Sequence, residues 1–189
     1  MILPIRIYGD PILRQVCPPL KQITPEIVQL GCDMLETMYA AGAVGLAAPQ
    51  VGHIVNLIVL DTRSSKRNSS LWIEGKTAAF DSLLPLALVN VEIWPDSEME
   101  LAPERCNSVP GIRVNIERPE SVEVRGLSTQ GKPIQFRCGG LLARAVQHEC
   151  DHLRGILFTD RMSSEVLASV KSHLTVLEQE TLMKLEQYH

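Results

Sequence analysis

The sequence predicts an α+β fold, with helices near both ends, a further helix around residue 148 and antiparallel strands between them. Three observations predict it. Apolar residues recur at helical spacing in three separate segments, where i, i+3 and i+4 positions share one face. Two short runs, Ile54 to Asp61 and Leu86 to Ile93, are rich in branched apolar residues, the composition of buried strands. Ser121 to Leu127 alternates as a half-buried strand does, and Thr129-Gln130-Gly131 turns the chain into a partner at Lys132 to Phe136.

Residues 1–23 hold Tyr8-Gly9-Asp10-Pro11 and Cys17-Pro18-Pro19, where proline fixes the backbone and removes donors, so this segment is irregular. The first helix follows, with Thr24 as cap and Pro25 at its first position. Ile27, Leu30, Met34, Leu35 and Met38 form its core-facing stripe, and it ends near Ala41-Gly42. Ala43 to Gln50 is built of small residues that let a backbone run close to a neighbour or a ligand. Arg63 to Lys76 is Ser-rich and charged, which predicts an exposed loop anchored by Trp72 and Ile73. Glu104 to Arg113 reads as a turn-rich segment. From Gly139-Gly140 the pattern becomes helical until Gly155, and a last amphipathic helix occupies 163–189 with Val166, Val170, Leu174 and Leu177 on one face.

A chain of 189 residues, 45% of them hydrophobic, is long enough to bury its core as one domain spanning 1–189. No apolar run reaches membrane-spanning length and the first residues lack the pattern of a secretory signal, so a cytoplasmic protein with no membrane partner is expected. A net charge of -4 without a basic cluster argues against DNA or RNA binding. The five cysteines are an odd, widely spaced set, which reads as reduced thiols.

The chemistry concentrates in Gln147-His148-Glu149-Cys150-Asp151-His152. On a helix, His148 and His152 share one face, so two imidazoles can hold one ion while Glu149 beside them takes a proton from an activated water. A third protein ligand is needed. His173 and His189 lie in the C-terminal tail outside any longer zinc-protease pattern, and Cys150 points to another face of the helix. Cys106, in a polar turn, is the better candidate, because a thiolate there completes a Cys-His-His set. Gln50, following a proline, either caps a turn or presents a fixed amide to a developing oxyanion.

These residues resemble the peptide deformylase family. Its GxGxAAPQ motif is met by Ala43 to Gln50, its EGCLS by Glu104-Arg105-Cys106-Asn107-Ser108, and its QHExDH by Gln147 to His152. Tyr8 to Arg14, Ser108 to Gly111 and Gly155 to Arg161 match as flanks. The resemblance implies antiparallel sheets wrapped around the central helix and hydrolytic removal of the N-formyl group from the initiator methionine of nascent polypeptides, in contact with the ribosome. It implies one divalent ion held by Cys106, His148 and His152, with Fe(II) favoured and Zn(II), Ni(II) or Co(II) compatible with the donor set. Glu149 is then the proton carrier, and Gln50 and the backbone N–H of Asn107 meet the formyl oxygen. Val44, Gly45, Leu46, Glu104 and Arg105 are the implied substrate-binding residues, the first three pairing with the peptide backbone.

The match is broken at Ala43 and Arg105, each replacing a glycine, and at Asn107, replacing a leucine. Arg105 either turns outward or pairs with Glu104, leaving the chemistry as in the family, or it narrows the cleft and changes peptide and inhibitor preference. A reading from another class is a noncatalytic, metal-containing binder of peptide N-termini. The sequence leaves monomer and dimer both open.

Overall fold

The computed structural model describes residues 1–187, so His189 lies outside the described residues. Helix α1, Pro25–Ala40, starts at Thr24 with proline in its first turn, although the Thr24 side chain makes no capping hydrogen bond. Nine strands follow in two sheets: β1 Gly45–Ala47, β2 Leu57–Leu60, β3 Ser69–Ile73, β4 Lys76–Thr77, β5 Leu86–Pro95, β6 Met99–Cys106, β7 Val109–Pro119, β8 Ser121–Ser128 and β9 Pro133–Gly139. Helix α2 is Gly140–Leu153, and α3 is Ser164–Glu186, capped by the Ser163 hydroxyl, which accepts from the Val166 amide. The seven-stranded sheet runs β1-β2-β5-β8-β9-β3-β4, with every pairing antiparallel, and β6 and β7 form a separate two-stranded sheet.

Every residue from Leu141 to Leu153 is buried, which is why α2 carries apolar residues all round except where its polar residues meet partners. It touches strands of both sheets, from β1 and β2 to β7 and β9. One core fills the space between α2 and the large sheet, with Leu142, Val146 and Cys150 against Leu88, Val124 and Phe136. A second packs the Met34 and Met38 stripe of α1 on Leu57 and Val59. A third joins Cys106, Val109 and Phe158 to Leu174 of α3, with Val170 and Leu177 packed around it, so the closing helix lies on the same body as the rest.

Two segments differ from the sequence reading. The predicted loop at 63–76 contains the β3-β4 hairpin, and β3 extends the large sheet by pairing Leu71 with Cys138 and Trp72 with Arg137. A single fully buried side chain, Leu71, anchors it, while the Arg137 guanidinium covers the Trp72 ring at 4.6 Å from its centroid. The predicted turn region at 104–113 belongs to a long β6-β7 ladder that turns at Asn107-Ser108 and shifts register between Arg105 and Cys106. Its strand alternation was obscured by the buried charges Glu104 and Arg118, which stand on the face a pattern reading assigns to apolar residues.

Candidate active site

Strand alternation on β6 puts Glu104 and Cys106 on the inner face and Arg105 on the outer one. Helical spacing on α2 brings His148 and His152 over them. The Cys106 Sγ lies 3.3 Å from His152 Nε2, and the two Nε2 atoms lie 3.2 Å apart. The donor atoms of Cys106, His148 and His152 all fall within 4.8 Å of one another, and all three residues are buried. His173 stands apart from this group: its ring nitrogen meets the Pro110 carbonyl at 2.9 Å. Cys150 is a buried core residue, as read from its face of the helix.

Glu104 fixes the tautomer. Its Oε1 is 2.6 Å from His148 Nδ1, so the ring donates there and its Nε2 presents a lone pair toward His152 and Cys106. Two ring nitrogens and a sulfur converging at 3.2 and 3.3 Å fit one cation, since tetrahedral bonds of roughly 2.0–2.3 Å separate donors by roughly 3.3–3.6 Å.

Glu104 is itself held. Arg118 grips it through two bonds of 2.8 and 2.7 Å, and reaches Asp151 at 2.7 Å, while Arg144 adds a contact at 3.3 Å. Arg161 closes the network on Asp151 from the following segment. Burial alone raises the Glu104 carboxyl, but Arg118 and then His148 overcome it and hold the group below the usual carboxylate range. Burial disfavours the charged form of both rings; at His148 the neighbouring Cys106 and Glu104 override it and favour a positive charge, which a cation at Nε2 supplies in place of a proton, while at His152 burial and the adjacent His148 keep the ring neutral. Glu104, expected to meet the substrate, borders the cavity, and its carboxylate oxygens are engaged by Arg118, Arg144 and His148. Sequence reasoning missed Arg118, Asp151 and Arg144. The signal available was Asp151 itself, an acid inside a buried helical motif that needs a cationic partner.

Glu149 borders the same cavity. Burial pushes its carboxyl up to about 7, and its Oε2 is buried without a partner. A side chain on Gly45 would place its Cβ 2.6 Å from Glu149 Oε1, so glycine is what lets β1 pass against this carboxylate. Gln50 caps the turn, its Oε1 accepting from the Ala47 amide at 2.8 Å, and its Nε2 is directed at Ser108 Oγ, 3.2 Å, and Cys106 Sγ, 3.5 Å. Val44, Gly45 and Leu46 line the cavity of about 280 Å³ together with Cys106, His148 and Glu149. Strand β1 ends the large sheet, pairing only with β2 among the described residues.

Arg105 is not paired with Glu104, because neighbours on a strand point to opposite faces; its Nη2 donates to the Gly42 carbonyl at 3.2 Å. The Asn107 side chain donates to the Ala41 carbonyl at 3.2 Å. Both replacements in the cysteine motif thus grip the turn that leads into β1.

The family model described as polypeptide deformylase matches residues 2–167. The chain belongs to the peptide deformylase family. It is 41% identical over 174 residues to the peptide deformylase of Methylacidiphilum infernorum, covering 92% of each chain. Among solved structures it is similar to the peptide deformylase from Legionella pneumophila, with TM-score 0.78, 32% identity and coverage of 96% of this chain and 98% of that one. It is likewise similar to the peptide deformylase from Synechococcus elongatus in complex with actinonin, with TM-score 0.77, 37% identity and 90% and 86% covered. This deformylase is accordingly a metal-dependent hydrolase acting on N-formyl amide bonds of N-formylmethionyl peptides, and the reading as a noncatalytic binder is set aside. No helix among the described residues is long and apolar enough to cross a membrane.

Proposed function

We propose that this peptide deformylase holds a single divalent ion on Cys106, His148 and His152 and uses Glu149 as the proton carrier of formyl-amide hydrolysis. The observation that carries the assignment is the convergence of one sulfur and two Nε2 atoms beside the unpartnered Glu149 Oε2. Bound there, the ion supplies Lewis acidity, lowering the pKa of water and polarising the formyl carbonyl. Glu149, buried and with its pKa near 7, accepts the proton from the attacking water and returns it to the departing amine. The Gln50 Nε2, fixed through its Oε1 contact with Ala47, donates to the oxygen on which charge develops, and the backbone N–H of Asn107 is its companion.

The open edge of β1 receives the peptide as an added strand, and Gly45 permits this approach directly beside Glu149. Ser108 and the buried Glu104-Arg118-Asp151 network position the donors without touching substrate. One thiolate with two imidazoles accommodates Zn(II), Ni(II) or Co(II), and resemblance to the family favours Fe(II) as the working ion. The substrates are nascent chains carrying formylmethionine, met at the ribosome in the cytoplasm, and the chain works as a single domain.

Formate release from formyl-Met-Ala-Ser, measured anaerobically on protein loaded separately with Fe(II), Ni(II) and Zn(II), tests the reading. One ion per chain and fastest turnover with Fe(II) are expected. Equal turnover in the presence and absence of chelator would exclude it.

A further inference from the structure

Resting on the deformylase reading of the site, we propose that Arg67, Arg105 and Arg113 form a cationic mouth that selects peptides with acidic residues immediately after the formylmethionine. All three side chains are exposed and border the cavity whose inner end holds Cys106, His148 and Glu149. They come from three separate places in the chain: the segment before β3, the end of β6 and the middle of β7. Arg67 Nη1 donates to the Pro103 carbonyl at 3.0 Å and Arg105 Nη2 to the Gly42 carbonyl at 3.2 Å, which fixes the guanidinium groups at the rim and leaves their other N–H donors unused by these bonds.

Arg105 and Arg113 stand directly opposite each other in the β6-β7 ladder. Like charges in such a pair are destabilising, yet no carboxylate lies within ion-pair distance of Arg67, Arg105 or Arg113 among the described residues. Among the described residues the acids bordering the cavity are Glu104 and Glu149, both buried. Glu104 is neutralised by Arg118, so it offers no counter-charge to the rim. In a chain whose net charge is -4, a rim of three unneutralised cations is a local feature rather than a general one.

A peptide whose formyl end reaches Glu149 and whose backbone runs along β1 toward Gly42 carries its second and third side chains past these groups. Carboxylates there complete the missing ion pairs, and Lys or Arg side chains meet like charge. The three arginines are exposed to solvent, so the selection is moderate and sensitive to salt.

The test compares kcat/KM for formate release from formyl-Met-Glu-Glu, formyl-Met-Ala-Ala and formyl-Met-Lys-Lys by the metal-loaded protein at low and high ionic strength. The acidic peptide is expected to exceed the basic one by roughly threefold to tenfold at low salt, with the ratio shrinking in high salt. Within each of Arg67→Glu, Arg105→Glu and Arg113→Glu, the Glu-to-Lys ratio is expected to fall, and in the combined Arg67→Glu/Arg105→Glu variant to invert. Equal use of the three peptides, or preference for the basic one, would overturn the cationic mouth while the release of formate upholds the activity. Absence of formate from all three would overturn the activity and the proposal with it.

Discussion

Glu149 is neutral or charged at little cost around neutrality because burial has already raised its pKa to about 7, and Gly45 leaves the space its oxygens occupy. Substituting Gly45→Ala drives a methyl into that carboxylate. We expect at least about a tenfold loss of kcat with metal content unchanged, the cost of misplacing a proton carrier. Steady-state kinetics beside elemental analysis checks this. Glu104 acts on the ion through His148, so Glu104→Gln is expected to weaken metal binding by roughly 10–100-fold, read by competition with a fluorescent chelator. His148, His152 and Glu149 could be named from residue types and spacing, because a helix repeats its face about every four residues, whereas Cys106 was the better of several candidates until the resemblance implied it as a ligand. Glu104 could not be placed by the same means. Its role depends on strand alternation toward α2 and on Arg118, fourteen residues away across a hairpin.

At the scale of elements, what positions the site is the meeting of β6 with α2, and it is fastened by buried charge. Arg118 is 2% exposed and joins Glu104 on β6 to Asp151 on α2. Arg118→Ala would remove the buried cation that both carboxylates share, leaving Glu104 to Arg144 and His148 and Asp151 to Arg161, a loss of about 3–5 kcal/mol that urea unfolding of the wild-type and variant proteins would measure. The β3-β4 hairpin hangs on less: Leu71→Ala should cost about 2–5 kcal/mol by opening a void under the sheet edge. The helices were legible because their caps and stripes agree with each other, as at Pro25 and the Met34-Met38 face. Strand β3 was hidden because serines and charges surround its one buried residue, and β6 because the charged Glu104 stands on its inner face.

Across the whole molecule, two sheets close around a helix with no exposed residue between Leu141 and Leu153, so a change at any wall reaches the centre. Stability also depends on pH through groups outside the site. Arg63 holds Asp61 down to about 2, below its ordinary value. Because the folded pKa is the lower one, the contribution is complete above about 4 and is lost as pH falls through about 2. Thermal unfolding of Asp61→Asn should therefore differ most from the parent near neutrality and converge with it near the low end of that range. Bound metal adds stability by mass action, so a chelator should lower the melting temperature of the parent but not of Cys106→Ala. The assembly of Arg67, Arg105 and Arg113 at one mouth was invisible in the sequence, where they lie scattered through an acidic chain. Hydrolysis by this deformylase is assigned to Glu149 working beside a metal held by Cys106, His148 and His152. Anaerobic formate release from formyl-Met-Ala-Ser by Fe(II)-loaded parent and Glu149→Ala, with iron content measured in both, tests that role most directly: equal iron and a loss of roughly 10²–10⁴-fold in kcat are expected, and undiminished turnover in the variant would contradict it.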